Sequence, residues 1–288
     1  MRTRIFRTLV IWPPVAWMLV FALVPTLLVL AVGLMARDES SFVAFELSGR
    51  GYAAILDPVF LSVLANSFEL AAGATLFSLL VGYPFAYGLA KSGPLKNVLL
   101  LLVIIPFWTN SLIRTYALAF LIKGSGPLSR TLEFLGITHG PLSLLYTDTA
   151  VFLGMAYTLL PFMILPIYSS IDKFDWRLVE AAHDLGAGRL RAFLRVTLPL
   201  TLPGVVAGCM MVFLCALGMF YIPDLLGGGR NPVVGNFIKN QFLTARDWPV
   251  GAAASSVLTA LMLLLLLVHR FASARARTRT ARGAGEGA

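Results

Sequence analysis

The 288-residue chain is 58% hydrophobic and only 13% charged, against about 25% charged in an ordinary soluble domain. That excludes a water-soluble enzyme, a disordered chain and a disulfide scaffold. A formal charge of +9 would suit a nucleic-acid partner, but the basic residues lie in short segments between long apolar runs, which points to membrane lipid and away from nucleic acid.

A helix that crosses a bilayer needs about 20 mostly apolar residues, and the stretches 12–34, 61–90, 98–118, 150–168, 200–222 and 250–271 meet that need. They predict an all-α fold: a polytopic bundle of six transmembrane helices over 12–271, after a short segment 1–11 and before a basic tail 272–288. The first run exceeds the 7 to 15 residues or so of a signal-peptide core and reads as a retained anchor. In the third, the apolar part Val98–Trp108 would cover only about 17 Å. It is therefore expected to continue through Asn110 and Arg114, with Arg114 snorkelling to the far interface. Pro84, Pro106, Pro161, Pro166 and Pro203 fall in or beside spans, as membrane helices tolerate. Gly204 and Gly208 form a Gly-x-x-x-Gly suited to close packing in the bundle.

Most of the 23 basic residues fall in 1–11, 91–97, 169–199 and the tail, all on one side. This bias predicts that both termini are cytoplasmic. The outer loops carry Asp38, Glu39, Glu46 and Asp57 against Arg37 and Arg50. There is no phosphate-binding Gly-rich loop, no His-Glu-x-x-His and no Cys or His cluster at metal spacing. His139, His183 and His269 stand apart, and Cys209 and Cys215 read as packing residues. A transport subunit fits this better than an enzyme, and uphill transport would need an ion gradient or a separate ATPase.

Between spans four and five, the loop 169–199 reads as two short helices with a glycine joint. Asp175 is a candidate N-cap for a first helix over 176–184, and Gly186 or Gly188 supplies the left-handed stop. In the second helix Leu190, Phe193, Leu194 and Val196 form an apolar stripe, with Arg189, Arg191 and Arg195 on the remaining surface. Such a pair at the membrane surface is suited to docking a partner.

Glu180-Ala181-Ala182, then Gly186, Val196 and Leu198-Pro199, reproduce at every spacing a pattern that arises by chance about once in 10⁶ positions or more rarely. With it the chain resembles the integral-membrane permeases of ATP-binding-cassette importers. Residues 105–116, 160–166, 175–180 and 220–228 further resemble the first permease of spermidine/putrescine importers, over some 200 residues from span two to span six. The resemblance implies a permease of the type I importer fold in a bacterial inner membrane. Its expected partners are a second six-helix permease, two cytoplasmic ATPase subunits and a periplasmic substrate-binding protein. This chain would need no cofactor, since ATP and magnesium would be bound by the ATPases. It also implies that Asp175, Arg177, Glu180, Ala181, Ala182 and Asp184 form the coupling surface against an ATPase. Gly186 would make the bend, and Leu198-Pro199 would lead back into the bilayer.

A polyamine carries two or three ammonium groups, which need carboxylates or aromatic faces where water is thin. Glu69 is an acid inside an apolar run, either on the pathway or at the interface near the positive end of span two. Asp224, beside Tyr221, reads as a pathway residue or a solvated loop acid at the outer mouth of span five. Trp108, Tyr116 and Phe220 would stack on a cation or anchor in the headgroup belt. The rival expectation is a stand-alone secondary transporter or channel that uses Glu69 as a cation or proton site.

Overall fold

Long runs of Leu, Val, Ala and Phe favour helices, which satisfy their own backbone in hydrocarbon. The computed structural model describes residues 2–38, 42–138, 140–229 and 232–285, with side chains from Val10 to Phe271. Glu39, His139 and the side chains of Arg2, Arg4, Arg7 and the tail 272–288 lie outside the described residues. The chain forms two compact units, 1–64 with 236–267 and 65–235 with 268–288.

In chain order, α1 (Arg2–Met18) passes through a π turn into α2 (Val24–Gly33). From Val10 to Gly33 the mean hydropathy is 2.6, and Trp12, Trp17 and Phe21 are exposed, as on a lipid-facing helix. A small antiparallel hairpin, β1 (Met35–Ala36) with β2 (Ala44–Leu47), follows, then α3 (Arg50–Ile55). The long helices α4 (Pro58–Lys91), α8 (Asp148–Asp172) and α14 (Trp248–Gly285) carry spans two, four and six. Between them lie α5 (Lys96–Trp108), α6 (Ser111–Ile122), α7 (Pro127–Phe134), α9 (Arg177–Asp184), α10 (Arg189–Ala192), α11 (Leu198–Gly218), α12 (Tyr221–Gly227) and α13 (Val234–Leu243). Among the described residues five helices are long and apolar enough to span a membrane, and one bent pair makes a sixth.

That bent pair corrects the expectation for span three. The helix does not run on through Asn110 and Arg114; the segments Gly93–Trp108 and Ser111–Phe134 meet at 97°. Pro106 removes one backbone donor near the end of α5, and Thr109 is extended with ψ 145°. Asn110 then caps a new helix, its side-chain oxygen accepting from the Leu112 N–H at 2.8 Å. Span five likewise ends earlier than expected. It ends at Gly218, and Phe220, Tyr221 and Asp224 belong to the start of a separate helix, α12. A continuous helix would press the Pro223 ring onto the Met219 carbonyl four residues back, and Met219 instead turns extended, ψ 131°.

In the first unit, α2, α3 and α14 approach at backbone distance. A Cβ on Gly33 would lie 3.1 Å from the Ala253 nitrogen, and one on Gly51 2.8 Å from the Gly33 carbonyl. Ile55, Phe60, Ala253 and Ala254 form the local core, with Phe60 edge-on to Phe237 at 5.1 Å. In the second unit α8 is the most deeply set span, with 61% of its most apolar window buried. It packs against α11 through the expected small residues. A Cβ on Gly204 would fall 2.5 Å from the Ser170 Cβ, and one on Gly208 2.9 Å from the Met163 sulfur. The Tyr83 and Thr201 hydroxyls, 2.9 Å apart, join α4 to α11.

Candidate functional site: a glycine-hinged loop and an acidic cleft

The loop after α8 begins with a turn in which the Asp175 carboxylate accepts the Arg177 N–H at 3.0 Å. Helix α9 then starts at Arg177, with Trp176 at the cap position. The cap expected at Asp175 is thus displaced by one residue, its carboxylate still holding the first turn. Arg177, Glu180, Ala181 and Asp184 are exposed, Ala182 is half-buried, and no residue of α9 is buried. The Glu180 side chain has no hydrogen bond or ion pair among the described residues.

The far end of α9 is closed by its backbone. Ala187 N–H donates to the Ala182 carbonyl and Gly186 N–H to the His183 carbonyl, each at 2.9 Å. This pair of hydrogen bonds is a Schellman motif, which requires a left-handed residue immediately after the helix cap. Gly186 supplies it at φ +81°. No atom lies within 4 Å of a Cβ placed there, so the requirement for glycine is conformational, not steric. Gly188 is ordinary extended backbone at φ −64°.

Beyond Gly188 the second helix differs from the expectation of a separate short element. Helix α10 runs through a π turn at Phe193–Thr197 straight into α11, so Arg189–Gly218 is one span-length helix of 30 residues. Pro199 lacks an N–H and would be expected to end a helix. The wider π turn, in which Leu198 N–H donates to the Phe193 carbonyl, lets the chain continue past it.

The second feature is a cleft of about 380 Å³ in the second unit, lined by Asn66, Glu69 and Leu70 of α4, residues 148–152 of α8 except Ala150, and Gly227. Two acidic residues, Glu69 and Asp148, thus line one cleft. Asp148 stands in the first turn of α8, where Thr147 caps the helix by accepting the Ala150 N–H at 3.2 Å. Asn66 donates to the Pro232 carbonyl at 3.3 Å. Asp148 was missed because an acid ahead of an apolar run reads as a helix-start residue; only its place on the wall of the cleft that Glu69 also lines marks it out.

Of the other pathway candidates, none lines this cleft. Trp108 is 78% and Tyr116 60% exposed, on α5 and α6. Phe220 meets Tyr221 edge-on at 6.2 Å, and the Tyr221 hydroxyl is hydrogen-bonded to that of Ser111, tying α12 to α6. Asp224 is exposed on α12. The Arg114 guanidinium lies 5.9 Å from the Phe107 ring centroid.

Comparison with known proteins agrees with this architecture. Residues 74–278 match the family described as the binding-protein-dependent transport system inner membrane component. The chain is 46% identical over 258 residues to the spermidine/putrescine transport system permease protein PotB of Salmonella typhimurium strain LT2, covering 89% of this chain and 90% of that one. It is 47% identical over 249 residues to PotB of Escherichia coli strain K12, covering 86% and 90%. The fold is similar to that in the crystal structure of a bacterial ABC transporter involved in the import of the acidic polysaccharide alginate. The TM-score is 0.72, at 17% identity and with 95% and 96% of the two chains covered. An all-α membrane chain, with its helix-closing glycine and Leu198-Pro199 on the way into a span, is thus a multi-pass permease, and it belongs to the family of binding-protein-dependent transport system inner membrane components.

Proposed function

We propose that this chain is a permease subunit of an ATP-driven importer of polyamines. It works beside a second six-helix permease and docks an ATPase through α9, both termini lying in the cytoplasm with that loop. Two ATPase subunits bind ATP and magnesium, and a periplasmic binding protein delivers the solute. The observation that carries this reading is α9 itself: a helix between two spans that buries none of its own residues and is closed at a fixed angle by Gly186. A short helix has little stability alone, so this one is built to be covered by another chain. Asp175, Arg177, Glu180, Ala181, Ala182 and Asp184 form the docking surface, and Leu198 and Pro199 pass its displacement into α11.

ATPase closure moves α9, and the spans rock so that the pathway opens first to one side and then to the other. Relatives of 46–47% identity that are named spermidine/putrescine permeases support the solute class, and the Glu69–Asp148 cleft offers two carboxylates to a chain of ammonium groups. Trp108, Tyr116, Phe220 and Tyr221 add aromatic faces, and Asp224 a further carboxylate, for the same solute.

The test is reconstitution with and without the ATPase, partner permease and binding protein. Putrescine uptake that needs ATP and all four components is the expected result. Gradient-driven flux through this chain alone would establish instead the secondary transporter that an acid within an apolar helix also allows.

A further inference from the structure

The loop is held to the spans by side chains that no role above uses. Tyr83, Tyr87 and Lys91 recur every fourth residue at the end of α4, so they share one face of it. Lys91 Nζ stands 4.6 Å from the Tyr87 ring centroid and 4.5 Å from that of Trp176, a cation shared between two rings. Trp176 immediately precedes α9 and meets Tyr87 edge-on at 5.7 Å. From the other end of the loop, Phe193 of the π turn meets Tyr83 at 5.7 Å and Tyr87 at 6.1 Å. Beside them Lys96, at the start of α5, pairs with Asp172, the last residue of α8, at 2.5 Å.

The start of α9 and the turn into α11 are therefore seated on one face of α4. Edge-on rings and cation–ring pairs are directional and weaken as they are pulled apart. Since no residue of α9 is itself fully buried, a push on it reaches α4 through the residues that touch both.

We propose that Lys91, Tyr87 and Trp176 form a strut that carries the movement of α9 to α4, braced by Phe193 and by the Lys96–Asp172 pair. They are positioning residues for coupling, and the assignment rests on the docking role of α9 proposed above.

The experiment uses proteoliposomes holding the complete importer and measures putrescine taken up per ATP hydrolysed, together with the amount of ATPase that co-purifies. Lys91 is exposed, so Lys91→Met removes the cation and leaves the fold intact. Trp176→Ala removes the central ring, and Trp176→Phe keeps one. In Lys91→Met and Trp176→Ala the ATPase stays bound and hydrolysis continues, while putrescine per ATP falls about fivefold or more; Trp176→Phe returns it to within about twofold of the original. An unchanged ratio in Lys91→Met and Trp176→Ala overturns the strut, as does loss of the ATPase from both variants, the result of a mere docking role. Failure of the unaltered complex to import putrescine on ATP would instead bring down the parent function, and is read from the unaltered control alone.

Discussion

Glu69 of α4 and Asp148 of α8 line the same cleft of about 380 Å³, although 79 positions separate them in the chain. On the proposed route a dication would pass these two acids, its ammonium groups losing water as they enter. Glu69→Gln and Asp148→Asn are each expected to raise the putrescine KM of the reconstituted importer about tenfold, the equivalent of about 1.4 kcal/mol. Assembly with the ATPase should be unchanged. Uptake at the original KM in both variants would remove the cleft from the route.

The two loop glycines separate cleanly. Gly186 is held at φ +81° and Gly188 at φ −64°. Gly186→Ala forces a side chain into the left-handed region at about 1–2 kcal/mol and loosens the closure of α9, so ATP-driven uptake should collapse while the protein still inserts. Gly188→Ala meets no atom within 4 Å and should transport normally. Uptake assays on matched membrane amounts decide this, and Glu180→Ala should follow Gly186→Ala.

Packing of α8 against α11 depends on the missing Cβ atoms. Gly204→Val drives a side chain into Ser170 and the Pro166 carbonyl, an overpacking cost of about 1–3 kcal/mol. Its thermal midpoint in detergent should fall by several degrees. Gly88→Ala, on an open face of α4 with nothing within 4 Å, should hold or raise the midpoint, since alanine is favoured over glycine in a helix by about 1 kcal/mol. Equal behaviour of the two variants would count against close approach at Gly204.

Asp247 caps α14. One carboxylate oxygen accepts the Val250 N–H at 3.3 Å and the other pairs with Arg37 at 3.4 Å. Asp247→Ala should cost about 1 kcal/mol, read as a lower midpoint, and Arg37→Ala less, because the Arg37 side chain is 39% exposed.

Spans one, two, four and six were legible because unbroken apolar length is itself the signal. The loop was legible because Glu180, Gly186 and Pro199 stand at fixed spacing, and Gly186 was one of the two stops that its composition allowed. Span three misled because Ser111 to Ile122 is apolar enough to look continuous, while the bend is set by the Asn110 cap and the extended Thr109. Span five misled because hydropathy does not register the clash of Pro223 with a carbonyl. Asp148, and the Tyr87–Lys91–Trp176 contacts, depend on side chains far apart in sequence, which periodicity along a single helix does not reveal.

The unbroken passage from Arg189 to Gly218 spans 30 residues, a rod about 45 Å long. Pivoting by about five degrees at its Gly188 end carries the Gly218 end sideways by about 4 Å, close to the width of a methylene chain. In the proposed transport cycle the π turn that carries the helix past Pro199 would give the subunit a long-armed lever, turning a slight rotation at one end of this helix into a gate-sized displacement at the other.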